Sequence, residues 1–214
     1  MTRQVILWRH GRTDWNVAGR VQGQTDTALD DVGREQAASA AARLASLNPH
    51  RIVSSDLQRA RRTAEALGAV TGVEVELDER FREMDFGARE GLTWQEAMER
   101  FPEGMKAWFS GDETQIPDSE THRQAGDRFA AGLADVIADL PEDATLVVVA
   151  HGAVIRTGAC AFLRFPEENW RTFGALNNCA WSVMTEVGPP QHRFWRLTEW
   201  NAGTLPEPVL TDDR

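Results

Sequence analysis

Two His-Gly pairs carry the chemistry of this chain. An apolar run, Val5-Ile6-Leu7-Trp8, breaks into Arg9-His10-Gly11-Arg12-Thr13-Asp14-Trp15-Asn16, and a second run, Leu146-Val147-Val148-Val149-Ala150, breaks into His151-Gly152. Short apolar runs of this type read as buried strands, so each imidazole is released at the carboxyl end of a strand. Ligands of open α/β sheets collect outside those ends, and two imidazoles far apart in sequence can then face one crevice. His10 is the stronger candidate. Arg9 is adjacent, Thr13 and Asn16 add neutral hydrogen-bonding groups, and Gly11 is expected to let a ligand approach the backbone. Together they form an anion cradle around an imidazole, which points to phosphate chemistry on histidine.

The elements that must position these residues alternate. Asp30 or Asp31 caps a helix to about Ser46, stopped by Asn48-Pro49. Residues 51–54 form a strand, 58–71 a helix and 73–77 an alternating strand. From 78 to 119 the pattern is irregular apart from a short helix over 93–101, and the stretch through Gly104, Gly111 and Pro117 reads as a lid or binding loop. A helix over 121–140, with Phe129, Leu133, Ile137 and Leu140 on one stripe, leads to the strand at 145–150. A helix over 153–162 and strands at 180–186 and 194–199 follow. This alternation predicts a three-layer α/β/α sandwich around a central, mostly parallel sheet. One domain over 1–203 is expected, followed by a fraying tail at 204–214.

Composition limits the partners. With 42% hydrophobic and 26% charged residues the chain is an ordinary globular one. No apolar stretch reaches membrane length and residues 1–4 show no signal-peptide pattern, so a cytoplasmic protein without membrane contact is expected. A formal charge of −10 disfavours an extended nucleic-acid surface, and any anion must be bound locally. Cys160 and Cys179 lack metal or redox spacing and read as buried thiols. Trp15, Trp94 and Trp108 fall where they can flank a sugar or other organic leaving group, while the remaining tryptophans fill the core. His50, His122 and His192 have no partner motif and are expected at the surface.

In order along the chain the motifs resemble the histidine phosphatase superfamily, the phosphoglycerate-mutase-like proteins. Arg9-His10-Gly11 with Thr13, Trp15-Asn16 and Gln22-Gly23 is similar to its first signature, and Ser54-Ser55-Asp56-Leu57-Gln58-Arg59-Ala60 with Thr63-Ala64 to its second arginine motif. Arg82-Glu83-Met84-Asp85-Phe86-Gly87 with Glu90-Gly91 is similar to its acidic motif, and Val149-Ala150-His151-Gly152 to its second histidine motif. The resemblance implies a phosphomonoesterase that needs neither metal nor cofactor, acting on a small sugar phosphate or phosphoglycerate-type ester, glucosyl-3-phosphoglycerate among them. It makes His10 the nucleophile and Glu83 the general acid and base. Arg9, Arg59, Asn16 and His151 become donors to the phosphoryl oxygens, and Thr13, Gln22, Gly23 and Gly152 part of the substrate-binding surface. It also allows a homodimer. At Arg12 the family usually carries Glu or Gln; this cation either faces the pocket or, the preferred reading, is solvated.

The residue types suit that chemistry. A phosphoryl group in transfer carries charge on three oxygens, so catalysis is mainly positioning and preorganised positive donors. Arg9 and Arg59 can fork onto those oxygens, and two guanidiniums disfavour the cationic form of His10, leaving it a nucleophile. Glu83 beside a phosphate dianion is held toward its neutral form by repulsion, which suits an acid; its bland alternative is pairing with Arg80 or Arg82. Rival functions are a mutase using the same residues, a non-catalytic phosphate-binding regulator, and a metallohydrolase ligated by His10, His151 and Glu83. Phosphoglycerate mutases that use a bisphosphate cofactor resemble this chain but carry a longer insertion with extra basic residues after the acidic motif, where 101–119 offers only Lys106 among several acids. Arg9 and Arg59 would repel a divalent cation.

Overall fold

The central strands form because their apolar residues alternate between two faces that are both covered. In the computed structural model, which describes residues 2–203, β1 (Gln4–Arg9) sends Val5 and Leu7 into one apolar cluster and Ile6 and Trp8 into another. β2 (Arg51–Ser54) and the short β3 (Val75–Leu77) extend the sheet on one side. β4 (Thr145–Ala150) is buried at every position and divides as β1 does, Leu146, Val148 and Ala150 against Val147 and Val149. Fully burying a side chain of this size contributes roughly 1.5–3 kcal/mol, so β1 and β4 anchor the sheet. β5 (Trp181–Val187) and β6 (Phe194–Ala202) complete the order β3-β2-β4-β1-β5-β6. The first four strands in this order pair in parallel, and β5 is antiparallel to both β1 and β6. The expected mostly parallel sheet is therefore present, with one reversed strand.

Helices cover both faces, as the alternation required. After a single turn, α1 (Asp14–Val17), α2 (Asp31–Leu44) and α3 (Gln58–Thr71) pack Ala37, Ala41, Leu44, Ala60, Ala64 and Leu67 on the Ile6/Trp8 face. Asp30 caps α2 by accepting from the Gly33 N–H at 2.6 Å. Two short helices, α4 (Trp94–Arg100) and α5 (Pro102–Phe109), surround their own small cluster of Ala97, Met105 and Ile116. α6 (His122–Ala138) and α7 (Gly152–Phe162) cover the other face through Phe129, Leu133, Val154 and Ile155. These two helices pack so closely that a Cβ on Gly158 would meet the Phe129 ring at 2.2 Å.

Three details depart from the sequence reading. α5 lies where an irregular stretch was expected, because Pro102 occupies the first turn, where its missing N–H and fixed φ favour a helix start. β3 omits Val73 and Glu74, and β6 continues past Glu199 to Ala202. The expected tail at 204–214 lies outside the described residues.

Candidate active site

The register of two strands sets the site. Arg9 lies opposite Ala150 on neighbouring parallel strands, so the next residues, His10 and His151, emerge side by side with ring centroids 5.1 Å apart and planes inclined by 58°. The His10 N–H donates to the Ala150 carbonyl at 3.0 Å. β2 ends at the same edge, where the Ser55 N–H donates to the Val149 carbonyl at 2.9 Å.

The tautomer of His10 follows from its local bond. Its Nδ1 lies 2.7 Å from the carbonyl of Gly11, which can only accept, so Nδ1 carries the proton and Nε2 keeps its lone pair. Burial first, and then the Arg59 and Arg9 guanidiniums, hold this imidazole well below its ordinary pKa. Burial is thus the larger cause, although the sequence pointed to the guanidiniums. The ring is neutral and its free nitrogen is available for covalent chemistry.

The two arginines are held differently. Arg59 is fully buried, and burial pulls its pKa down to about 10. Its Nε donates to His151 Nδ1 at 3.2 Å, Nη2 to the Gly23 carbonyl at 2.6 Å and Nη1 to the Thr25 carbonyl at 2.8 Å. Most of its fork is therefore spent on the loop at 23–25 and on His151. That bond makes His151 Nδ1 an acceptor, so Nε2 carries the proton and donates to Ser55 Oγ at 2.9 Å. Arg9 keeps more in reserve. Its Nη1 donates to the Leu176 carbonyl, while its buried Nε has no acceptor. A buried unpaired donor is costly, and beside two imidazoles it is what an anion site requires.

Glu83, just after the 3-10 turn Glu79–Phe81, closes the constellation by resting its carboxylate on the start of α7. Its Oε1 accepts from the Met84 and Val154 N–H groups at 2.9 and 2.8 Å, and its Oε2 from the Ala153 N–H at 3.1 Å. A carboxylate suits the positive end of a helix, and here it stands directly after His151-Gly152. The alternative pairing with Arg80 or Arg82 does not form: Arg80 binds Asp78 and Asp135, and Arg82 binds Asp56. Arg128 on α6 fixes the backbone under the carboxylate by donating to the carbonyls of Arg80 at 2.7 Å, Arg82 at 3.1 Å and Glu83 at 3.2 Å.

Residues 5–203 match the histidine phosphatase superfamily (branch 1). The chain belongs to that superfamily. It is 38% identical over 212 residues to a glucosyl-3-phosphoglycerate phosphatase of Mycobacterium tuberculosis, covering 94% of this chain and 95% of the relative. A solved structure of a mycobacterial glucosyl-3-phosphoglycerate phosphatase complexed with VO3 superposes with a TM-score of 0.85 at 38% identity, over 94% of this chain and all of that one. An Entamoeba histolytica phosphoserine phosphatase in complex with 3-phosphoglyceric acid gives a TM-score of 0.79 at 31% identity, over 94% and 98% of the two chains. A probable phosphoglycerate mutase of Erwinia tasmaniensis is 33% identical over 198 residues, 92% of this chain and 89% of the relative.

Within this histidine phosphatase the remaining expectations sort by where the structure puts them. Thr13 is fully buried, and its hydroxyl is shared with Asn16 and Gln22 at 3.1 and 2.9 Å. It positions those two amides instead of facing a ligand. The Asn16 oxygen accepts from the Thr13 N–H at 3.1 Å and from Asn178 at 3.2 Å, and the Gln22 oxygen also accepts from Thr27 at 2.5 Å. Both amides therefore have only N–H groups to offer, the role a phosphoryl oxygen needs. Gly23 sits at φ +54°, with the Glu90 carboxylate where its Cβ would be. Glu90 also ties the N–H groups of Gln24 and Thr25 at 2.8 and 2.9 Å, holding the loop whose carbonyls grip Arg59. Gly152 lets Arg9 pass, its Cβ position being 3.4 Å from that guanidinium.

Other positions needed the fold to be understood. A Cβ on Gly11 would meet the Gly33 carbonyl at 2.4 Å, so that glycine admits α2 and not a ligand. Arg12 turns from the site to pair with Asp30 at 2.7 Å. His50 and His192 are exposed as expected, but His122 is buried, bonded to Glu113 and 3.0 Å from Arg156. Its partner stands nine residues earlier on a 3-10 turn, a distance no periodicity reveals. Asn178, donating to the His10 carbonyl at 3.2 Å, also escaped the sequence, since it reaches the site only through the reversal of β5. Cys160 and Cys179 are buried thiols.

Proposed function

We propose that this chain hydrolyses a carboxylate-bearing phosphate monoester through a phosphoryl group carried on His10 Nε2. The observation that carries the reading is the His10 Nδ1 bond to the Gly11 carbonyl at 2.7 Å, which frees Nε2, within a ring that burial first, and then the Arg59 and Arg9 guanidiniums, keep neutral. In the first half-reaction the Nε2–P bond forms as the ester P–O bond breaks, and Glu83 gives its proton to the departing alkoxide. In the second, water attacks phosphorus as the N–P bond breaks, and Glu83 takes the water proton. The free Nε of Arg9 and the amides of Asn16 and Gln22 meet the charge on the phosphoryl oxygens.

The likeness to glucosyl-3-phosphoglycerate phosphatases supports that ester as substrate. Half-exposed Trp94, in edge contact with Trp108 at 5.7 Å and Phe109 at 5.4 Å, supports a sugar-facing rim. The proposed enzyme is cytoplasmic and homodimeric, which fractionation and sedimentation of the native protein check; no described helix is long and apolar enough to cross a membrane.

The test is phosphate release over a panel of esters including glucosyl-3-phosphoglycerate and 3-phosphoglycerate, with products identified. Turnover should leave a base-stable, acid-labile label on His10, insensitive to EDTA. Turnover without that label overturns the covalent route. Conversion of 3-phosphoglycerate to its 2-isomer without free phosphate would make the chain a mutase.

A further inference from the structure

Residues 176–180 wrap the segment that carries His10. The Leu176 carbonyl accepts from Arg9 Nη1, the Ala180 carbonyl from the Arg9 N–H at 2.9 Å, and the Cys179 carbonyl from the Trp8 indole N–H at 3.1 Å. The His10 carbonyl in turn takes the Cys179 N–H and the Asn178 side-chain amide, each at 3.2 Å. Cys179 stands at φ +58°, a left-handed conformation that residues other than glycine rarely adopt. Strain of this kind collects at functional positions, and here it accompanies two successive donors turned onto one oxygen.

Asn178 does more than its neighbour. Its Nδ2 also donates to Asn16 Oδ1 at 3.2 Å. Both partners are oxygens that can only accept, so the orientation of this amide is fixed and both of its protons are spent. The Asn16 oxygen is also held by the Thr13 N–H and hydroxyl, each at 3.1 Å, but those bonds belong to the capping box of α1 itself. They set the Asn16 amide relative to its own turn. That turn is four residues long and buries none of them, so packing does not seat it firmly on the sheet. The Asn178 bond ties it there, running from the turn to the carbonyl of His10.

We propose that Asn178 is a positioning residue of the phosphoryl site, its single amide nitrogen setting the span between the attacking imidazole of His10 and the Asn16 N–H that meets the phosphoryl charge. The inference rests on the reading of His10 as nucleophile and of the Asn16 amide as a donor to phosphoryl oxygens. When Asn178 is replaced the His10 carbonyl keeps the Cys179 N–H, so what is lost is the link to Asn16. Catalysis of phosphoryl transfer is mainly positioning, and a small misplacement of one group is costly. With both protons spent, Asn178 has none to offer the ester, so its effect falls on the phosphoryl side and is the same whatever the leaving group.

The experiment measures kcat/KM on 3-phosphoglycerate and on p-nitrophenyl phosphate for wild type, Asn178→Leu, Asn16→Ala and the double variant, with thermal melting as the check on folding. Asn178→Leu keeps the shape and removes both donors. It should lose roughly 10-fold on both esters, the upper size of a lost hydrogen bond, mainly in kcat, and Asn178→Ser, with one proton to give, should recover part of that. Added to Asn16→Ala, Asn178→Leu should cost less than about 3-fold more, because the donor it positions is gone. A merely structural role would add in full. Full additivity, a single-variant loss below about 2-fold, or unequal losses on the two esters overturn the proposal. Should Asn178→Leu melt far below wild type, Asn178→Ser carries the same cycle. Titration with orthovanadate separates this outcome from failure of the proposed function. A wild type that binds vanadate but hydrolyses no ester refutes the hydrolase reading. The role of Asn178 then requires the vanadate Kd to rise roughly 10-fold in Asn178→Leu; an unchanged Kd, or no binding by wild type, refutes it.

Discussion

Arg9, His10, Ser55, Arg59 and His151 stand at strand ends or a helix start of one sheet, and each is fixed by bonds to residues distant in the chain. Residues 86–122 are built otherwise. Short helices and 3-10 turns surround the small cluster of Ala97, Met105 and Ile116, and Trp94, Met98 and Phe109 remain exposed. The first region inherits its geometry from a strand register, so its reacting atoms move only if the main core moves. The second is joined to the rest at particular points, among them the bridge Arg20–Thr93 and the bonds of Glu90 to the N–H groups of Gln24 and Thr25. The proposed chemistry is thus attached to the main core, and the proposed sugar-facing rim to a segment with a small core of its own.

The largest expected effect falls on the rigid side. His10→Ala should lower kcat/KM by at least ~10⁴-fold with an unchanged circular dichroism spectrum; residual turnover above that level would break the contrast. Glu83→Gln comes next. Phosphate release from an alkyl ester should slow by roughly 10²–10³-fold, but far less from p-nitrophenyl phosphate, whose leaving group needs little protonation. Equal losses on the two esters would remove Glu83 as the acid.

Gly11→Ala should destabilise by about 3 kcal/mol in urea titration, since its new methyl meets the Gly33 backbone at 2.4 Å. Phe109→Ala, at a side chain 53% exposed, should stay within about 0.5 kcal/mol.

A pH series sharpens the same contrast. His10 and His151 are both held well below the ordinary imidazole pKa, by burial first and then by Arg59. Below about pH 6.5 the unfolded chain therefore binds protons that the folded one refuses, so stability is present above that pH and is lost as pH falls. The slope is about 1.4 kcal/mol per pH unit for each imidazole. Denaturant titrations should show it, and His10→Asn should remove about half; a flat profile would show that the pair is not buried neutral.

Legibility follows the same division. The β1 and β4 ends and the start of α2 were readable because apolar runs and capping signals are local, a register converts two distant strand ends into one place, and the four motifs were readable through their resemblance to a family. What failed was of another kind. The stretch after Phe101 looked irregular and opens with a helix at Pro102; His122 looked solvent-facing because its partner Glu113 follows no period; Gly11 looked like room for a ligand and is room for Gly33. Each depends on a neighbour supplied by packing, and a single sequence does not name such neighbours.

One consequence of the reversed strand concerns the order in which the protein is made. β5 enters at the catalytic edge, so the backbone N–H of Cys179 and the side chain of Asn178 both grip the His10 carbonyl at 3.2 Å. On the ribosome His10 emerges 168 residues ahead of Asn178 and lacks this clamp until Asn178 and Cys179 have been translated. A nascent fragment therefore carries the His10 imidazole without its final clamp, and the site is complete only when the late segment folds back.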